Sequence, residues 1–119
     1  MAITVLIVDD DPSYLALATS VVREIGAEVV TTAPDAGAAI EAANDLRPDA
    51  ALVDVWLPDR SGIDLAYDLA DLPWRPRVIL MSTDTDAASA IKARDGQNPL
   101  PFVPKEQLAG ERLRGLLIS

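Results

Sequence analysis

Five short apolar runs alternate with segments of helical period along the whole chain, and few folds accept that order. Residues 3–8 (ITVLIV) form an unbroken, largely β-branched run, the mark of a strand buried on both faces. Asp11 and Pro12 then supply an N-cap and a first helical position; Leu15, Ala18, Val22 and Ile25 recur at helical spacing until Gly26 stops the helix. Residues 28–32 (EVVTT) make a second, weaker strand, 34–46 an alanine-rich helix closed by Pro48, and 50–53 a third strand. A Pro58/Gly62 loop leads into a helix over 62–69 and a fourth strand at 78–81. A helix over 84–94 is closed by Gly96, a short strand follows around Phe102, and a last helix begins near Glu106.

Such alternation implies a parallel sheet with helices on both faces, joined by right-handed crossovers. The expected fold is α/β: a flavodoxin-like (βα)5 doubly wound sheet with strand order 2-1-3-4-5. Strands one and three are then neighbours at the switch point, where ligands bind beyond the carboxyl ends of the strands. The prolines give an independent check on that order. Pro99, Pro101 and Pro104 crowd the last strand, and a residue without an N–H is tolerated mainly at a sheet edge. The length of 119 residues suits one domain over 1–119, with no internal repeat, low-complexity tract or linker.

Composition removes several chemistries. The chain has no Cys and no His, so disulfides, thiolate nucleophiles, Ser-His-Asp triads and ordinary zinc sites are excluded. Carboxylate, hydroxyl and amine chemistry remains, and carboxylates favour hard cations such as Mg²⁺. A phosphohistidine cannot form on this chain, so any such donor is another molecule. The net charge of −9 argues against direct nucleic-acid binding by this chain. No apolar run approaches the roughly 20 residues of a membrane span, and residues 1–8 lack the basic flank and cleavage site of a signal peptide; a cytoplasmic location is expected.

Asp9/Asp10, Asp54, Ser82 and Lys105 each follow one of the apolar runs, which places them together at one sheet edge if the topology holds. Three clustered carboxylates repel, and a divalent cation with oxygen ligands is the usual way they stay ionised together. One cap needs one carboxylate, so Asp11 reads as the cap of the first helix, leaving Asp9 and Asp10 for the pocket. Asp54 can act as a nucleophile and form an acyl phosphate, with a metal reducing the repulsion of the incoming phosphoryl oxygens. Ser82 offers a hydroxyl donor and Lys105 a mobile positive charge. Phe102, an aromatic on a short edge strand, reads as core cover, and Trp74 in LPWRPR as a loop side chain over a sheet edge.

The segments LIVDDDP at 6–12, LVDVWLPDRSG at 52–62, ILMST at 79–83 and FVPK at 102–105 together resemble the receiver domains of two-component response regulators. That resemblance implies Asp54 as the phosphoacceptor of a phosphoryl group from a sensor histidine kinase or phosphotransfer protein. It implies Asp10 as a direct Mg²⁺ ligand, Asp9 as a partner acting through water, and the backbone carbonyl of Trp56 as a further ligand. Asp54 itself completes the metal set, and Pro58 and Gly62 match the loop after it. Ser82 resembles the switch hydroxyl, Lys105 the cation that pairs with the phosphoryl group, and Phe102 the aromatic whose rotamer follows. The output is then a two-state surface of fourth helix, fifth strand and fifth helix, acting on a downstream effector protein or domain, with a homodimer among the outcomes.

The chain departs from the family pattern in places. Glu106 follows Lys105 where a proline is common, so a trans bond is expected there. Trp56 is bulkier than usual and Asp84 adds negative charge two residues after Ser82; both are expected to set the lifetime of the acyl phosphate. Gly110 and Gly115 weaken the last helix. The leading reading is thus a phosphorylation-activated signalling switch rather than an enzyme. One alternative is a pseudo-receiver, an interaction module that ignores phosphorylation. The other is a haloacid-dehalogenase-like phosphohydrolase, in which Asp9 and Asp11 would form the working pair and Asp54 would have no task.

Overall fold

The computed structural model describes residues 2–84, 100–109 and 111–118; the helix expected over 84–94 lies outside them but for its first residue, as do Gly96, Pro99 and Gly110. Five strands, β1 (Thr4–Val8), β2 (Glu28–Ala33), β3 (Ala50–Asp54), β4 (Arg77–Ser82) and β5 (Phe102–Pro104), form one parallel sheet in the order β2-β1-β3-β4-β5. Helices α1 (Pro12–Ile25), α2 (Ala36–Leu46) and α3 (Gly62–Ala70) and a C-terminal helix (Glu111–Ile118) cover it.

Successive strand residues face opposite sides, so an unbroken apolar run feeds two cores at once. Leu6 and Val8 of β1 join Ala51, Val53 and Leu80 beneath α2 and α3. Val5 and Ile7 join Leu52, Ile79, Met81 and Val103 with residues of α1 and the C-terminal helix. Each fully buried Leu, Ile or Val contributes about 1.5–3 kcal/mol relative to exposure. Packing on both faces therefore holds β1 and β3 in the middle of the sheet, although each has only five residues.

Local chemistry sets the helix ends. The Asp11 carboxylate accepts from the Ser13 N–H at 3.0 Å, Pro12 opens α1, and Gly26 closes it with φ of 101°, a conformation that disfavours any side chain. The second helix starts at Ala36 rather than at Pro34, because Asp35 caps it through a 2.8 Å bond from Ala38 N–H. The last helix begins at Glu111 rather than near Glu106; Lys105–Gln107 form a single 3-10 turn. Leu108, Leu113 and Leu117 are all buried, and the five-residue step from 108 to 113 would turn Leu108 about 140° off a continuous helix face, so the chain breaks between them. The edge position of β5, which pairs only with β4, agrees with its flanking Pro101 and terminal Pro104. No peptide bond among the described residues is cis, Lys105–Glu106 included. Trp74 lies half-buried at the opposite end of the sheet, its Nε1–H donating to Pro48 O at 2.8 Å under a stacked Arg47 guanidinium.

Gly62 opens α3 where its N–H meets Val55 O at 2.9 Å, and a Cβ there would collide with the Asp54 carbonyl oxygen. Gly115 lies in the C-terminal helix, and a Cβ there would meet nothing within 4 Å. Two alanine substitutions should therefore have opposite signs in urea melts. Gly62→Ala is expected to destabilise by about 1–3 kcal/mol or more, and Gly115→Ala to stabilise by about 0.5–1 kcal/mol.

Candidate functional site

Parallel pairing brings the carboxyl ends of β1 and β3 together. Val8 is paired with Val53, so Asp9 and Asp54 are the next residue of each strand. Asp9 keeps the β1–β2 ladder running through its N–H to Ala33 O at 3.0 Å, and Asp54 ends β3 opposite Met81. Asp9 is wholly buried and Asp54 nearly so, whereas Asp10 is exposed. All three offer a carboxylate oxygen within 4.8 Å of one another.

Lys105 enters from the far end of the sheet. Its ammonium lies 2.6 Å from Asp9 Oδ2 and 3.2 Å from Asp54 Oδ2. The buried Asp9 oxygen therefore faces the ammonium directly. The other Asp9 oxygen accepts the Asp11 N–H at 3.0 Å. Asp54 Oδ1 accepts the Trp56 N–H at 3.2 Å, which fixes the carboxylate against the loop after β3.

Burial raises the Asp54 pKa above the ordinary carboxylate value, and Asp9 adds to it; the Trp56 N–H and the Lys105 ammonium oppose the shift without cancelling it. For Lys105, burial works to lower the pKa, but the Asp9 and Asp54 carboxylates outweigh it and the ammonium is held above its ordinary value. Three carboxylates against one ammonium leave the cluster with a formal charge of −2. Hard oxygen donors within reach of one another and a surplus negative charge suit a small divalent cation such as Mg²⁺.

The remaining residues singled out from the sequence are placed as follows. Ser82 ends β4, buried, with its Oγ accepting the Asp84 N–H at 2.9 Å. Phe102 is half-buried against the core beneath α2 and α3. The Trp56 side chain is 64% exposed, while its backbone N–H donates to the Asp54 carboxylate. The Asp11 carboxylate is engaged in capping α1, which separates its role from that of Asp9.

Two contributors were not foreseen. Asp59, in the loop after β3, accepts the N–H groups of Ala36 and Gly37, each at 2.9 Å, and ties that loop to the start of α2. Those bonds hold its carboxyl below the ordinary range. Tyr14, on α1, packs over the Lys105 ammonium at 4.2 Å and donates its hydroxyl to Lys105 O at 3.3 Å. Burial, then the charges of Asp9 and Asp54, push the Tyr14 phenol pKa well up, so the hydroxyl stays a donor. A sequence signal existed for Tyr14: it shares the apolar stripe of Ala18 and Val22, and a tyrosine there needs an acceptor. None existed for Asp59, an acidic residue in a turn.

A raised carboxylate pKa has a definite sign. The unfolded chain gives up the Asp54 proton more readily than the folded one, so ionised Asp54 costs stability at neutral pH, and this cost fades as pH falls through the raised value toward the ordinary one. Metal-free Asp54→Asn should accordingly melt above the parent at pH 7, by roughly 1 kcal/mol, and the gap should close toward pH 3. Added Mg²⁺ should stabilise the parent more than the variant. Thermal melts with and without chelator read both effects.

The family model described as "Response regulator receiver domain" matches residues 5–109. The probable transcriptional regulatory protein TcrX of Mycobacterium tuberculosis is 37% identical over 119 residues, covering 97% of this chain and 50% of the relative. The DNA-binding response regulator MtrA of Mycolicibacterium smegmatis is 33% identical over 114 residues, covering 92% of this chain and 49% of the relative. The chain thus spans about half the length of the curated relatives it matches. Among solved structures, the receiver domain of the PhyR response regulator from Erythrobacter litoralis superposes with a TM-score of 0.81 at 26% identity, covering 97% of this chain and 86% of that one. The response regulator domain of Thermotoga maritima CheB gives 0.77 at 29% identity, covering 98% and 94%. With the five-stranded order and the acidic strand ends already established, these likenesses lead to one conclusion: the chain belongs to the response regulator receiver domains of two-component signalling systems.

Proposed function

We propose that the chain is a switch operated by phosphorylation of Asp54. The observation that supports this most is the meeting of Asp9, Asp54 and Lys105, from three distant parts of the sequence, in one buried charged cluster. The donor is the phosphohistidine of a sensor histidine kinase or phosphotransfer protein. An Asp54 carboxylate oxygen attacks phosphorus; the P–N bond breaks, and the imidazole leaves with its electron pair. Asp54 is held for this by the paired β3 strand and the Trp56 N–H.

Asp9, Asp10 and Asp54, with the Trp56 backbone carbonyl, would hold Mg²⁺. When bound, the ion supplies the positive charge that lets a phosphoryl group approach a cluster of carboxylates. Lys105, already against Asp9 and Asp54, then pairs with the phosphoryl group as well, and Ser82 exchanges its bond from Asp84 for one to a phosphoryl oxygen. The residues around β5, Phe102 among them, carry the change to a surface read by a downstream effector protein or domain, or by a second copy of the chain.

Incubation with acetyl phosphate and Mg²⁺, followed by mass spectrometric mapping, tests the reading. The phosphoryl group should be found on Asp54 and should be absent from Asp54→Ala. Label on Asp9 would point instead to hydrolase chemistry, and an unlabelled chain that binds no Mg²⁺ to a module that ignores phosphorylation. The lifetime of the acyl phosphate is a further readout. Trp56 lies two residues after Asp54 and its N–H holds the Asp54 carboxylate, so Trp56→Asn should change the lifetime several-fold. Asp84→Ala, which alters the segment bonded to Ser82, should also change the dephosphorylation rate; unchanged rates in both variants remove the idea.

A further inference from the structure

Lys105 is poorly held by its own part of the chain. It follows β5, a three-residue strand paired, among the described residues, with β4, and it begins a short 3-10 turn closed by Leu108 N–H to Lys105 O at 3.2 Å. Its charge sits at the end of a flexible four-carbon stem, which would lose entropy on being fixed. Yet the ammonium lies within 3.2 Å of two buried carboxylates, and the side chain is only 11% exposed.

We propose that Tyr14 is the positioning residue that holds Lys105 at the carboxylate cluster. Tyr14 grips both ends of the same residue. Its hydroxyl donates to the Lys105 backbone oxygen at 3.3 Å, and its ring face lies 4.2 Å from the ammonium. The two contacts act differently. The hydroxyl bond anchors the turn to α1, while the ring covers the charge and shields it from water. Asp11 and Pro12 set where α1 begins, and so place Tyr14 in its first turn, over the end of the sheet. Tyr14 also packs against the core beneath α1, but a core tyrosine needs one acceptor for its hydroxyl and no cation above its ring.

This role rests on the proposed task of Lys105 at the phosphoryl site, and its test is separable from that task. Lys92 and Lys105 are the only lysines in the chain, so amine acylation reports on Lys105 with an internal reference. Metal-free protein is treated with sulfo-N-hydroxysuccinimidyl acetate at fixed pH, and the labelling rates of the two lysines are compared by peptide mass spectrometry. The Lys105 rate relative to Lys92 should rise about tenfold in Tyr14→Leu, which loses both contacts, and about threefold in Tyr14→Phe, which keeps the ring. A ratio within twofold of the parent in Tyr14→Leu overturns the proposal, as does an equal rise at both lysines, which reports general loosening. If Tyr14→Leu gives no cooperative urea melt, Tyr14→Phe decides, and an unchanged ratio there overturns the proposal. With acetyl phosphate and Mg²⁺, Tyr14→Leu should lower the saturating rate of Asp54 phosphorylation about fivefold and leave the half-saturating donor concentration unchanged, the pattern of a lost transition-state contact. The labelling needs no phosphoryl chemistry. It can therefore succeed where Asp54 of the parent accepts nothing, an outcome that would remove the signalling reading and leave the clamp in place.

Discussion

Parallel pairing of β1 with β3 is the constraint on which the rest of the site depends. Parallel strands all finish at the same edge, so any side chain just past a strand end is delivered to one place. The register of Val8 with Val53 makes neighbours of Asp9 and Asp54, two carboxylates that would repel in water and repel more strongly when buried. The pairing survives because Leu6 and Val8 on one face, and Val5 and Ile7 on the other, are buried in separate cores. Hydrophobic packing thus holds an electrostatically unfavourable arrangement in place. Functional sites commonly carry such a local cost against the stability of the surrounding fold.

Lys105 relieves part of that repulsion in the free protein. A buried pair loses hydration that its mutual attraction only partly restores. The Asp9–Lys105–Asp54 cluster fits this description, with Asp10 beside it leaving a surplus of negative charge. The loop that carries Trp56 is restrained from two sides, by the Gly62 N–H to Val55 O and by the Asp59 carboxylate on α2, so the groups around Asp54 are set before any ligand arrives.

Legibility from the sequence followed the range of the interaction. Elements set by local chemistry were readable: Asp11, Pro12 and Gly26 bound α1 because a cap, a fixed φ and a left-handed residue act within one turn. The edge position of β5 was readable because a proline removes a donor wherever it lies. The start of the C-terminal helix was not. Glu106 to Ala109 suit a helix locally, but burial of Leu108 together with Leu113 and Leu117 requires a break, and burial is a property of the assembled core.

The sequence by itself determined the fold class, the strand order and the membership of the acidic pocket, because apolar period and strand-end placement are carried by adjacent residues. Only the tertiary structure decided how the pocket is balanced: that Asp9 is buried and Asp10 exposed, that Lys105 lies against both Asp9 and Asp54, and that Tyr14 and Asp59 hold the pieces from outside. Those contacts join residues as far as 96 positions apart, as between Lys105 and Asp9. Their distances depend on how two cores seat the sheet and helices against each other, and no local pattern encodes that.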